Sequence, residues 1–187
     1  MRKLVLLSAF IFLGYSFSPL LALAGETSDH GCKIIYDFEG VKELQGLNWQ
    51  CHTWYERSQL HATSGHWSLK VEMYPPETYP GLAISDLKRS WKGTRQVRLD
   101  IFNPGSQPLP VVFRIDDRRN DPPYSDRVNH RQLLLPGMNH VCLDFARLRT
   151  SGTKRPLKTA DICAFMFFTV SPKRPVTIFV DNIRLCK

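Results

Sequence analysis

Apolar and polar residues alternate along Arg95–Asn103 (RQVRLDIFN), Leu109–Asp117 (LPVVFRIDD), Asn139–Phe145 (NHVCLDF) and Val176–Leu185 (VTIFVDNIRL). A period of two is the pattern of strands with one face buried. It turns Val97, Leu99 and Ile101 to one side, with Phe113 and Ile115, and Val141, Leu143 and Phe145, doing the same in their own strands. Ile162–Val170 (ICAFMFFTV) is apolar almost throughout. Cys32–Gly40, Thr63–Pro75 and Gly81–Leu87 add further strands, the second with Trp67, Leu69, Val71 and Met73 in phase. Turns punctuate the runs, as at Pro136-Gly137, and the polar stretch Phe145–Asp161 reads as a helical turn plus loop. Strands at this spacing without helical alternation predict an all-β chain folded as an antiparallel β-sandwich. The Asp181-Asn182 pair inside the last strand is costly to bury unless a metal or a hydrogen-bond network satisfies it.

Residues 1–24 read as a signal peptide rather than as part of the fold. Arg2 and Lys3 precede an apolar stretch from Leu4 to Leu23, and Ala22-Leu23-Ala24 forms a small-x-small cleavage site. A retained anchor and a lipoprotein are the alternatives: the stretch approaches the ~20 residues a span needs, whereas the lipoprotein reading lacks its cysteine at the cut. The expected product, residues 25–187, is one exported domain, periplasmic or extracellular. Five cysteines in an exported chain point to disulfides, with at least one thiol left over. Cys32 precedes the first strand and Cys186 follows the last; first and last strands are often neighbours in sandwiches, so these two are the expected bridge. The formal charge of +8 is scattered, which suits a solvated basic surface or an acidic polysaccharide partner. No recognition helix or aromatic-basic repeat supports nucleic acid.

The ordered pieces YDFEG, TSGHWSLKV, SWKGTRQVRLDIFNP, FRIDD, YSDRVNH, LLLPGMNHVCLDF, ADICAFMFF and TIFVDNIRL resemble exported carbohydrate-binding modules of the galactose-binding-like jelly-roll superfamily. The resemblance implies a jelly-roll sandwich that binds a polysaccharide or glycan without catalysis. It also implies a structural Ca²⁺ held by Glu39, Ser64, Gly65 and Asp181, with Asp37 as an alternate. Hard oxygen ligands of this kind suit calcium; the competing reading is that these are turn and cap residues satisfied by backbone amides.

Two candidate sugar sites emerge from the residues. If the alternating strands share a sheet, Arg98, Asp100, Arg114, Asp116, His140 and Asp144 line one face, where charged donors and acceptors suit sugar hydroxyls or uronates. The alternative is a solvated face laced with cross-strand ion pairs. The loop Arg118–Arg131 offers Tyr124 to stack on a sugar ring, with Asp126, Arg127 and Asn129 beside it; Trp54 is a further platform. Trp67 and Trp91 fit core or turn packing. Enzymatic motifs such as GxSxG, HExxH or a P-loop are absent. A polysaccharide lyase assembled from Tyr124, His140 and Arg114 is a third reading, behind glycan binding and behind an envelope-protein interaction domain of the same fold.

Overall fold

The computed structural model describes residues 31–84, 87 and 90–187; the expected signal peptide lies outside them. Among these residues eleven strands form two antiparallel sheets. They are β1 (Cys32–Tyr36), β2 (Leu47–Gln50), β3 (Thr53–Ser58), β4 (Ser68–Met73), β5 (Gly81–Ile84), β6 (Gln96–Asn103), β7 (Leu109–Asp116), β8 (Val128–Leu134), β9 (Gly137–Asp144), β10 (Ala164–Phe168) and β11 (Val176–Cys186). The first sheet runs β3-β4-β11-β6-β9, with β1 also on β11; the second runs β2-β5-β10-β7-β8.

Period-two burial closes the sandwich. Leu69, Val71 and Met73, Val97, Leu99 and Ile101, and Val141 and Leu143 face inward from the first sheet. Phe113, Ile115, Phe165 and Phe167 meet them from the second, and Trp91 is buried against Phe145 and Phe165. Each such side chain contributes roughly 1.5–3 kcal/mol relative to exposure. Trp67 departs from its expected phase: it sits just before β4, half-buried, with the Arg57 guanidinium 4.1 Å from its ring centre.

The first and last strands are neighbours, as expected. Cys32 is the register partner of Cys186, and the two form a disulfide across a sequence separation of 154. The Asp-Asn interruption of the last strand is a β-bulge. Asp181 pairs with Asp100 and Arg184 with Arg98, leaving an extra residue between them, and Asn182 takes φ 52°. The inserted residue reverses the strand's phase, so Ile178 and Val180 before it, and Ile183 and Leu185 after it, all reach the core.

Candidate functional site

The outer face of the second sheet carries a cleft of about 570 Å³. Its floor is apolar: Val112 from β7, with Met166 and Phe168 from β10. These are the outward members of the runs VVF and FMFF, whose alternate members fill the core. Gly81 of β5 makes room for the floor. It is the register partner of Phe168, and a Cβ there would collide with the Phe167 carbonyl oxygen and the Phe168 Cβ. Tyr79 and Tyr124, both more than half exposed, stand on the rim. Arg114, Arg127, Asn129 and Arg131 supply the polar wall.

The wall carries three arginines, two of them ion-paired. Arg114 donates from Nε and Nη2 to the buried Asp116 and from Nη2 to Asp121. Burial opposes its charge, but these bonds hold its pKa above the ordinary arginine value. Arg127 reaches Asp121 at 3.3 Å and lies over the Tyr124 ring, while its Nε is buried without a hydrogen-bond partner. Arg131 makes no ion pair among the described residues. A tyrosine beside fork-shaped donors, over an apolar floor, is equipped to stack on a sugar ring and bond its hydroxyl or acidic groups.

The rim loop is locked from behind. Arg155 donates through Nη1 and Nη2 to Asp117, at 2.7 Å each, and through Nε to Asp126 at 2.6 Å. The Ser125 carbonyl accepts the N–H groups of Gly152 and Thr153. Gly152 permits this approach, since a Cβ there would stand 2.6 Å from the Ser125 Cβ. Asp117 is pulled below the ordinary carboxylate range because the Arg155 bonds outweigh burial; for Asp126 the Arg155 bond leads. Asp126 is thus engaged by Arg155 behind the loop that carries Tyr124, and it is not among the residues lining the cleft, where a hydroxyl acceptor was expected. Asn129 divides its capacity: it lines the cleft, and its amide donates to Ser151.

The six charged strand positions do not share a surface. Arg114 and Asp116 belong to the second sheet, while Arg98, Asp100, His140 and Asp144 belong to the first. Alternation along each strand reveals which way a side chain turns but not which sheet the strand joins. Asp100 is, moreover, almost fully buried beneath the segment 59–67 that crosses the outside of its sheet. There His61 stacks on Phe102, the Thr63 hydroxyl donates to Asp100, and His140 Nδ1 lies 2.8 Å from Asp100. Burial works against the Asp100 charge, yet the bonds from His140, Thr63 and Asn182 and the nearby Arg184 hold its pKa below the ordinary value. Trp54 is exposed on β3 of that same first sheet, away from the cleft.

Glu39 and Asp181 bracket the Thr63–Gly65 turn, where the calcium expectation lies. Asp181 Oδ2 accepts the N–H groups of Thr63 and Ser64 at 2.6 and 2.8 Å, and its Oδ1 that of Asn182. Glu39 Oε1 accepts those of His66 and Trp67. Asp37 instead accepts the Glu39 N–H. Burial pushes the Asp181 pKa up in spite of its amide bonds. Amide hydrogens thus satisfy one oxygen of Glu39 and both of Asp181, and no group of three or more Asp, Glu, His or Cys converges among the described residues. The arrangement is that of turn and cap carboxylates satisfied by backbone amides.

Met166, Phe168, Val112, Tyr79 and Arg131 escaped the sequence-based site. The signal for Met166 and Phe168 was the nearly unbroken apolar run of β10, which leaves an apolar strip on its outward face.

No family model matches the chain, and no curated protein matches it in sequence. Solved structures do match in fold. A family 11 carbohydrate-binding module from Clostridium thermocellum, solved with a β-1,3-1,4-mixed-linked tetrasaccharide, superimposes with a TM-score of 0.62 at 19% identity, covering 83% of this chain and 95% of that one. A CBM22-1 xylan-binding domain from Paenibacillus barcinonensis gives 0.51 at 14%, covering 81% and 90%. An exo-β-agarase gives 0.65 at 16%, covering 81% of this chain and 24% of the enzyme. The chain thus has the jelly-roll sandwich fold seen in carbohydrate-binding modules.

Proposed function

We propose that this protein is an exported module that binds a polysaccharide or glycan, without catalysis, in the cleft of the second sheet. The observation that carries the reading is the cleft itself: Tyr79 and Tyr124 exposed over an apolar floor, with arginine forks along one wall. The same outer-face chemistry extends the reading to a glycan carrying acidic groups, because Arg131 lines the cleft, is exposed and has no ion-pair partner among the described residues. Export is supported by the apolar segment Leu4–Leu23 and by a disulfide, which persists in oxidising compartments. Among the described residues no helix is long and apolar enough to cross a membrane. The lyase reading loses its set, since His140 projects from the first sheet while Tyr124 and Arg114 line the cleft in the second.

Affinity electrophoresis of the mature protein through gels holding neutral or acidic polysaccharides tests the reading. Tyr124→Ala is expected to abolish retardation while changing stability by no more than ~0.5 kcal/mol, as exposed substitutions do. Retardation that survives Tyr124→Ala at full strength would place the sugar elsewhere.

Calcium has a separate measurement. Because amides already satisfy Glu39 and Asp181, the melting temperature is expected to be the same in calcium and in chelator. A rise with calcium that disappears in Asp181→Ala would restore the cation to this turn.

A further inference from the structure

We infer that the cleft is the middle of a longer cationic track that grips an extended polyanionic polysaccharide rather than a short or terminal sugar. The inference rests on the proposed glycan cleft and adds a subsite at each end of it.

Three depressions on this face share walls. The central cleft shares Val112, Arg131 and Val170 with a depression of about 370 Å³ that is also lined by Lys173 and Arg174. It shares Arg114 and Met166 with another of about 390 Å³ that is lined by Arg118 and Arg119. The path follows the outward positions of β7 from Pro110 to Asp116, six steps or roughly 20 Å of strand. Along it the cations come in order: Lys173 and Arg174, then Arg131, then Arg127 and Arg114, then Arg118 and Arg119.

The acids on this path are largely spent on Arg114 and Arg118. Asp116 and Asp121 bond Arg114, and Asp126 is shared between Arg118 and Arg155. Lys173, Arg174, Arg131 and Arg119 make no ion pair among the described residues, and all four are exposed. Cations spread over such a length match a ligand whose charge repeats along an extended chain. The apolar floor and flanking tyrosines match one whose repeats have flat apolar faces. A polysaccharide with a carboxylate or sulfate on successive sugars has both properties, and the arginine fork receives either group.

The test is isothermal titration of the mature protein with polygalacturonate, heparin, a neutral mixed-linked β-glucan, single-stranded DNA and galacturonate oligosaccharides of increasing length. Affinity is expected to rise with oligosaccharide length and to fall with added salt. The double variant Lys173→Ala/Arg174→Ala, and separately Arg119→Ala, should each weaken polymer binding on the order of tenfold, as expected for a lost charge-assisted contact. Both should leave the shortest bound oligosaccharide unaffected, whereas Tyr124→Ala weakens short and long alike. Polygalacturonate binding more tightly than heparin identifies carboxylate as the charge, and the reverse identifies sulfate; either supports the track. Flank variants that bind polymer like the wild type overturn it. So does DNA binding as tight as any polysaccharide, or a neutral glucan binding equally well with no response to salt. That last result leaves the central glycan cleft standing, whereas failure to bind every polysaccharide removes the cleft and the track together.

Discussion

Replacing Cys32 and Cys186 together by alanine is expected to destabilise the protein by about 4 kcal/mol, toward the upper end of what a native bridge contributes. The size follows from the loop: a sequence separation of 154 lets the unfolded chain gain much freedom when the link is lost. At 2–4 °C per kcal/mol for a domain of this size, the melting temperature should fall by roughly 8–16 °C. The bridge pins β1 to the second half of β11, so fraying should begin there. Glycan retention below the transition should be unchanged, because the cleft belongs to the other sheet. Thermal denaturation of the double variant is a cleaner measurement than added reductant, since Cys51, Cys142 and Cys163 are free thiols. A shift of only a degree or two would mean that strand pairing alone holds the ends.

Arg155→Ala is expected to cost about 3 kcal/mol and to weaken glycan retention as well, because it strands the buried Asp117 without its charged partner, leaving the Lys158 N–H on it. The loss of binding comes through position: Arg155 touches no part of the cleft, but it holds the Asp126 end of the loop that presents Tyr124 and Arg127. Arg155→Lys should recover little, since one ammonium cannot reproduce the planar fork that serves Asp117 and Asp126 at once. The effect depends on pH in a definite direction. The Asp117 pKa is depressed in the folded state, so its contribution is fully present above the ordinary aspartate value of 3.8 and fades as pH falls from there through the lower folded value. Urea denaturation at neutral pH should separate wild type from Arg155→Ala by the full amount; below pH 3.8 the two curves should draw together. An equal separation at both pH values would show that Arg155 acts through packing alone.

Much of the architecture was legible before any tertiary contact was known. Strand phases came directly from alternation: Val97, Leu99 and Ile101 are buried as their spacing required, and so are Val141 and Leu143. The bridge was legible because the cysteines flank the first and last strands. The binding loop was legible in part, since Tyr124 stands exposed at the cleft and Arg127 lines its wall. Asp126 misled because a carboxylate in a polar loop looks the same whether it faces a ligand or an arginine 29 residues on.

The sequence by itself determined that this chain is a β-sandwich, which side chains of β6, β7 and β9 turn inward, and that its ends meet, because those properties follow from local periodicity and from where cysteines fall. Only the tertiary structure decided which strands lie side by side. Arg98 and Arg114 have the same alternating context, yet they emerge on opposite layers, because pairing partners are chosen by contacts far apart in the chain. The same choice set Met166, Phe168 and Arg131 side by side on one face, and it hid Asp100 and Asp181 beneath the segment around Thr63.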